Sequence, residues 1–87
     1  MSSYLISYDL IKEKDYEKIY DAIKSFGTWA RVTESVWIVV SDLSCSELRD
    51  KLSEYMDNDD RLFVLKSSGI AAWRNVRCRN EWLKTYL

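Results

Sequence analysis

The chain is predicted to adopt an α+β fold, in which two helices cover one face of an antiparallel four-stranded sheet. Three observations support this class. Segments of strand character and of helical periodicity follow one another in the order β-α-β-β-α-β. The length of 87 residues fits one domain with a small core, and an apolar content of 47% is too high for a disordered chain. We expect one domain over residues 1–87, with a core at residues 3–67 and a tail at residues 70–87.

The first strand, over residues 3–10, is apolar and ends near an isolated carboxylate, Asp9. Because side chains alternate along a strand, one face is fully apolar and Asp9 lies on the opposite, less buried face. The apolar face consists of Tyr4, Ile6 and Tyr8. An acid at the edge of a sheet can hold a metal ion, and it can equally end the strand and open a turn.

The first helix is predicted over residues 16–26, with Asp15 as its N-cap and Gly27 after its end. Five apolar residues recur at helical spacing and are expected to form one buried stripe. They are Tyr16, Ile19, Tyr20, Ile23 and Phe26. We expect these aromatic rings to belong to the core rather than to a ligand platform.

Residues 28–42 are too long for one strand and are predicted to form a hairpin that reverses at Thr33-Glu34-Ser35. Its second strand, residues 36–40, is apolar on both faces. Such a strand is expected to be covered by helices on one side and by a partner on the other.

A second helix begins at the capping box Ser44-Cys45-Ser46-Glu47 and is expected to run to about Met56. Its predicted inner face consists of Leu48, Leu52 and Tyr55. An acidic loop at residues 57–60 then leads to a strand at residues 61–66. The complete order is the ferredoxin-like pattern.

The C-terminal tail is aromatic and basic, and residues 80–87 are predicted to form a short helix. From Lys66 onward the chain has five bases and one acid, although its net charge is −1. A nucleic acid would meet this end first, and Trp73 and Trp82 could stack on its bases. The alternative is that the bases solvate a helix and the rings pack. The candidate nucleic-acid ligands are Lys66, Arg74, Arg77 and Arg79.

Several function classes are excluded by composition. The chain has no His, which removes catalytic triads that depend on imidazole and zinc sites that depend on His. Cys45 and Cys78 have no CxxC spacing, so we expect two reduced thiols. No apolar run approaches the length of a membrane span and no signal sequence is evident, so a cytoplasmic protein without membrane contact is expected. Two alternatives remain: carboxylate chemistry with a hard cation such as Mg²⁺, or no catalysis at all.

Four segments together resemble a known family. They are Tyr8-Asp9-Leu10, residues 29–37, residues 43–48 and residues 60–65. Over residues 4–67 the chain resembles the small CRISPR-associated adaptation proteins, the second of the two core adaptation proteins, and the related virulence-associated protein D ribonucleases. The resemblance implies a ferredoxin-like homodimer that is either a metal-dependent nuclease or a nucleic-acid scaffold. The family continues with a short C-terminal strand, where this chain has a predicted helical tail.

The resemblance also implies roles for three residues. Asp9 matches the metal-binding acid, Arg31 a basic residue of the second strand, and Ser35 a small polar residue near the hairpin. In a homodimer, two Asp9 carboxylates near the two-fold axis could hold Mg²⁺, while Arg31 offsets transition-state charge and Ser35 orients phosphate or water. The substrate could be RNA or DNA. A non-catalytic module that binds a protein partner, and a toxin-like ribonuclease, are the competing hypotheses.

Overall fold

The fold is that of a computed structural model, which describes residues 1–11 and 16–87. The strands and helices are, in chain order, β1 (Ser2–Asp9), α1 (Tyr16–Lys24), β2 (Thr28–Arg31), β3 (Val36–Ser41), α2 (Cys45–Ser53), β4 (Arg61–Lys66) and α3 (Asn80–Tyr86). The sheet order is β2-β3-β1-β4, and every neighbouring pair is antiparallel. The predicted ferredoxin-like fold is confirmed. The predicted N-cap of α1, Asp15, lies outside the described residues.

The first face of the sheet, called here the helix face, packs against α1 and α2. The register pairs Ile6 with Trp37 and Tyr4 with Val39, so the alternating side chains of β1 and β3 form one apolar layer. This layer and the inner sides of both helices form the main core. Its buried members are Tyr4, Ile6, Tyr8, Ile19, Ala22, Ile23, Trp37, Val39, Leu48 and Leu52.

The start of α2 shows the predicted capping box. The Ser44 hydroxyl accepts a hydrogen bond from the Glu47 backbone N–H, and the Glu47 carboxylate accepts one from the Ser44 N–H, each at 3.1 Å. Both bonds satisfy backbone donors that have no partner within the helix. The helix ends at Ser53, three residues before the predicted end at Met56.

Opposite the helices, the second face of the sheet is covered by the tail over only part of its area. Ala30 and Ile38 are paired across β2 and β3 on this face, and both are buried outside the main core. Leu83 of α3 is 1% exposed. The Ser3 hydroxyl, whose side chain lies on the same face, donates a hydrogen bond to the Tyr86 carbonyl. The helix α3 therefore crosses the second face, and the predicted helical tail is confirmed.

Two predicted core rings are solvent-exposed. Tyr16 is the first residue of α1, and its ring contacts Tyr20 at a centroid distance of 6.1 Å instead of entering the core. Tyr55 lies beyond the end of α2, where helical spacing no longer determines which way a side chain points. The prediction that both rings are buried was therefore wrong.

Candidate metal and nucleic-acid site

Asp9, the predicted metal ligand, lies at the end of β1 on the second face. Its carboxylate is exposed, and Oδ2 is 3.8 Å from Nη1 of Arg61, the residue paired with it on β4. Ser7, Phe63 and their neighbours line a shallow depression beside it. Sequence reasoning missed Arg61, because the partner of Asp9 depends on the β1–β4 register.

Arg31, the second predicted site residue, lies on the helix face and therefore not on the same face as Asp9. Its guanidinium carbon is 4.6 Å from the Tyr20 ring centroid and 5.5 Å from that of Trp37. Nε and Nη2 both donate to the Glu34 carbonyl, at 3.1 and 2.8 Å, and Nη2 also donates to the Tyr20 hydroxyl. These contacts hold Arg31 against the β2–β3 turn.

The β2–β3 turn is also bonded to the end of β1. The Tyr8 backbone N–H donates to the Ser35 carbonyl at 3.2 Å, and the Tyr8 hydroxyl donates to the Glu34 carbonyl at 3.4 Å. Ser35, the third predicted site residue, therefore lies beside the strand end that carries Asp9. The structure brings Ser35 near this strand end and places the Arg31 side chain on the other face.

Tyr8 lies beneath this turn, and the pKa of its hydroxyl is raised. Burial raises the pKa of its hydroxyl to about 12, against the effect of a hydrogen bond from the Trp37 indole, which lowers it. The indole Nε1 donates to the Tyr8 oxygen at 3.2 Å. Tyr8 is therefore neutral at physiological pH and acts as both donor and acceptor between Trp37 and the turn.

Beside Asp9 on the second face, β4 carries two exposed apolar side chains. Phe63 and Leu65 are 59% and 51% exposed, and the register pairs them with Ser7 and Leu5. We call these two residues the β4 patch. The strand β4 is at one edge of the sheet, and exposed apolar edge strands are typical sites of association.

The four predicted nucleic-acid ligands do not form one cluster. Lys66 is paired with Tyr4, at the end of the sheet far from the Asp9–Arg61 pair. Arg77 lies at the other end, because its backbone N–H donates to the Val32 carbonyl at 2.9 Å. Arg74 and Arg79 lie in the same tail segment as Arg77.

The loop before β4 brings together three acids that sequence reasoning treated only as charge. Carboxylate oxygens of Asp57, Asp59 and Asp60 lie within 4.8 Å of one another. Asp60 uses both oxygens in the local fold, accepting from the backbone N–H groups of Ile11 and Asp57 at 3.0 and 2.9 Å. Exposed acids often approach one another in this way without an ion.

The sheet order, the two helices on one face and the acid that ends β1 place the chain among ferredoxin-like α+β proteins. Its family follows from a direct match. The family model described as CRISPR associated protein Cas2 matches residues 1–72, and the chain belongs to this family. The inferred resemblance to the CRISPR-associated adaptation proteins is confirmed, and family membership supports a role in CRISPR adaptation.

The match ends before most of the tail, so α3 and the arginine-rich segment preceding it lie outside the matched region. Within the described part of the chain, no helix has the length and apolar character needed to cross a membrane.

Proposed function

We propose that the protein is a homodimeric CRISPR adaptation protein that binds nucleic acid and hydrolyses phosphodiester bonds with Mg²⁺ held by Asp9. One observation carries this proposal: the exposed Asp9 carboxylate lies on the same face of the sheet as the β4 patch. Phe63 of the patch is paired with Ser7, which is two residues before Asp9 on β1. A partner that covers the patch about a two-fold axis would bring a second Asp9 towards the first.

The donor set suits a hard cation. Mg²⁺ is usually bound through one or two carboxylates, with waters and substrate phosphates completing its shell. The Asp9 carboxylate is exposed, and two such side chains brought together in a dimer would meet that requirement. When bound, Mg²⁺ would activate a water molecule and offset charge on the phosphate. Arg61, within ion-pair distance of Asp9, is positioned to contact that phosphate.

Arg31 has a different role in this proposal. Because two of its nitrogens already donate to the Glu34 carbonyl and its plane contacts two rings, it holds the turn that carries Ser35. We assign it as a positioning residue and assign phosphate contact to Arg61.

The decisive experiment is a cleavage assay on RNA, single-stranded DNA and duplex DNA, with Mg²⁺ or a chelator. Asp9→Asn keeps the size of the side chain and removes its charge, so cleavage should fall to the level seen with chelator. Asp42→Asn is the matched control, since Asp42 is an exposed acid just beyond the opposite end of β1 and β3. Equal activity of the wild type and Asp9→Asn would refute the metal site.

Dimerisation is tested separately by sedimentation equilibrium over a wide concentration range. Phe63→Asp combined with Leu65→Asp should give a monomer, because two charges would replace the β4 patch. Tyr55→Asp is the control, since Tyr55 is 53% exposed but lies after α2 on the other side of the sheet. A dimer that survives the double substitution would contradict the proposed interface.

A non-catalytic nucleic-acid scaffold is the second candidate. The exposed tail arginines Arg74, Arg77 and Arg79 favour it, because such cations neutralise a phosphate backbone without any metal ion. Binding of nucleic acid by a dimer that shows no Mg²⁺-dependent cleavage would support the scaffold over the nuclease.

A further inference from the structure

We propose that residues 73–80 form a phosphate-binding loop that holds a nucleic-acid backbone beside the Asp9 end of the sheet. This inference rests on the proposed nucleic-acid function and names the part of the tail that contacts the ligand. The loop lies outside the region matched by the family model, which ends at residue 72. We call it the arginine loop, after Arg74, Arg77 and Arg79.

The arginine loop has a defined conformation. At its base, the Trp73 indole Nε1 donates to the Asn80 side-chain oxygen at 3.0 Å, which joins the first and last residues of the loop. Between them, Asn75 adopts a left-handed conformation with φ of 55°, which Asn tolerates better than most residues. The loop therefore presents its three cations from a closed turn, and not from an extended strand.

The arginine loop is bonded to the sheet near the candidate site. The Arg77 backbone N–H donates to the Val32 carbonyl, and the Val32 N–H donates to the Val36 carbonyl at 2.8 Å. Val36 is paired with Ser7, two residues before Asp9. A backbone bond thus connects the loop to the end of the sheet at which β1 reaches Asp9.

Charge complementarity selects the occupant. All three arginine side chains are exposed, and the ion pair that Arg79 forms with Glu81, at 3.9 Å, is itself exposed and screened by water. Guanidinium groups bind phosphate oxygens through paired N–H donors. Trp73 lies half-buried at the base of the loop, so its ring adds an aromatic surface beside these cations.

The test compares two triple variants of the full chain for binding to single-stranded RNA and duplex DNA, by fluorescence anisotropy over a series of salt concentrations. The loop variant is Arg74→Gln, Arg77→Gln and Arg79→Gln. The control variant is Lys18→Gln, Arg49→Gln and Lys51→Gln, which removes the same charge from α1 and α2, on the helix side of the sheet. The Val32 bond uses the Arg77 main chain, so the loop should stay docked.

We expect the loop variant to bind more weakly and to show a smaller salt dependence. For every phosphate that the variant no longer neutralises, the slope of log affinity against log salt should become shallower by about 0.9 on duplex DNA and about 0.7 on single strands. The control should keep a slope close to that of the wild type. Equal slopes in both triple variants, or no binding by the wild type at low salt, would contradict the proposal that the arginine loop binds nucleic acid.

The same assay separates this inference from the nuclease proposal. Asp9→Asn should lose cleavage and keep the loop-dependent affinity, because it changes no arginine. Loop-dependent binding without cleavage in the wild type would refute the nuclease and support the loop, whereas Asp9-dependent cleavage with loop-independent binding would do the reverse.

Discussion

The helix face and the second face of the sheet carry apolar side chains of similar size but are covered to different extents. On the helix face, Ile6 and Val39 are fully buried by two helices. On the second face, Ile38 is buried while Leu65, two strands away in the same row, is 51% exposed. One face is therefore closed within the chain, whereas the other keeps exposed apolar side chains on β4.

The largest effect should come from the helix face. Ile6→Ala removes a side chain with no exposed surface from the centre of the main core, and should lower the free energy of unfolding by about 2 to 5 kcal/mol. Urea unfolding followed by Trp fluorescence measures the change. A decrease no larger than that expected for an exposed site would show that the helix face is less tightly packed than the buried cluster indicates.

A smaller effect is expected where α3 covers the second face. Leu83→Ala should cost about 2 kcal/mol, at the low end for a buried Leu, because a short helix can shift to fill the space. Leu65→Ala is the matched control on the exposed part of the second face, and should change the free energy of unfolding of the monomer by no more than about 0.5 kcal/mol. Equal losses of unfolding free energy at the two positions would contradict the distinction between the part of the second face that α3 covers and the part that is exposed.

The smallest effect at neutral pH concerns Tyr8. Tyr8→Phe removes its hydrogen bonds with Trp37 and the Glu34 carbonyl, and should cost about 1 kcal/mol at pH 7. Because the pKa of Tyr8 is about 12 in the folded protein and about 10 in an unfolded chain, its contribution is complete below pH 10 and is lost as pH rises towards 12.

The stabilities of wild type and Tyr8→Phe should therefore converge above pH 10. Urea unfolding of both proteins at several pH values from about 8 to about 11, on either side of the ordinary tyrosine pKa, measures this convergence. Parallel curves over that range would contradict the link between burial of the Tyr8 hydroxyl and its pKa.

Much of the fold was predictable because local signals agreed with the final packing. Period-two alternation in β1 separated the apolar face from Asp9, and the strand at residues 61–66 has the bounds expected from its flanking turns. The reversal at residues 33–35 also lies between β2 and β3, as predicted. The order of the strands and helices, and the face of the sheet on which the β1 side chains lie, thus followed from local periodicity.

The cover of the second face and the surroundings of the site were not predictable in the same way. The strand β3 was expected to meet a partner on its second face, and Ile38 on this face is already buried within the single chain. The tail crosses the same face, where Leu83 is the buried residue of α3. Likewise, Arg31 was predicted to lie in one site with Asp9, but the strand register places the Arg31 side chain on the helix face, opposite the face that carries Asp9. Register and long-range docking decide both outcomes.

The hydrogen bond between Ser3 and Tyr86 joins residues 83 positions apart, and has a consequence for folding kinetics. We expect contacts of such sequence separation to form late in folding, because closing the intervening chain costs entropy. Interactions that are absent from the folding transition state affect the unfolding rate and leave the folding rate almost unchanged. We therefore expect the docking of α3 to slow unfolding of the native state and to leave the folding rate almost unchanged.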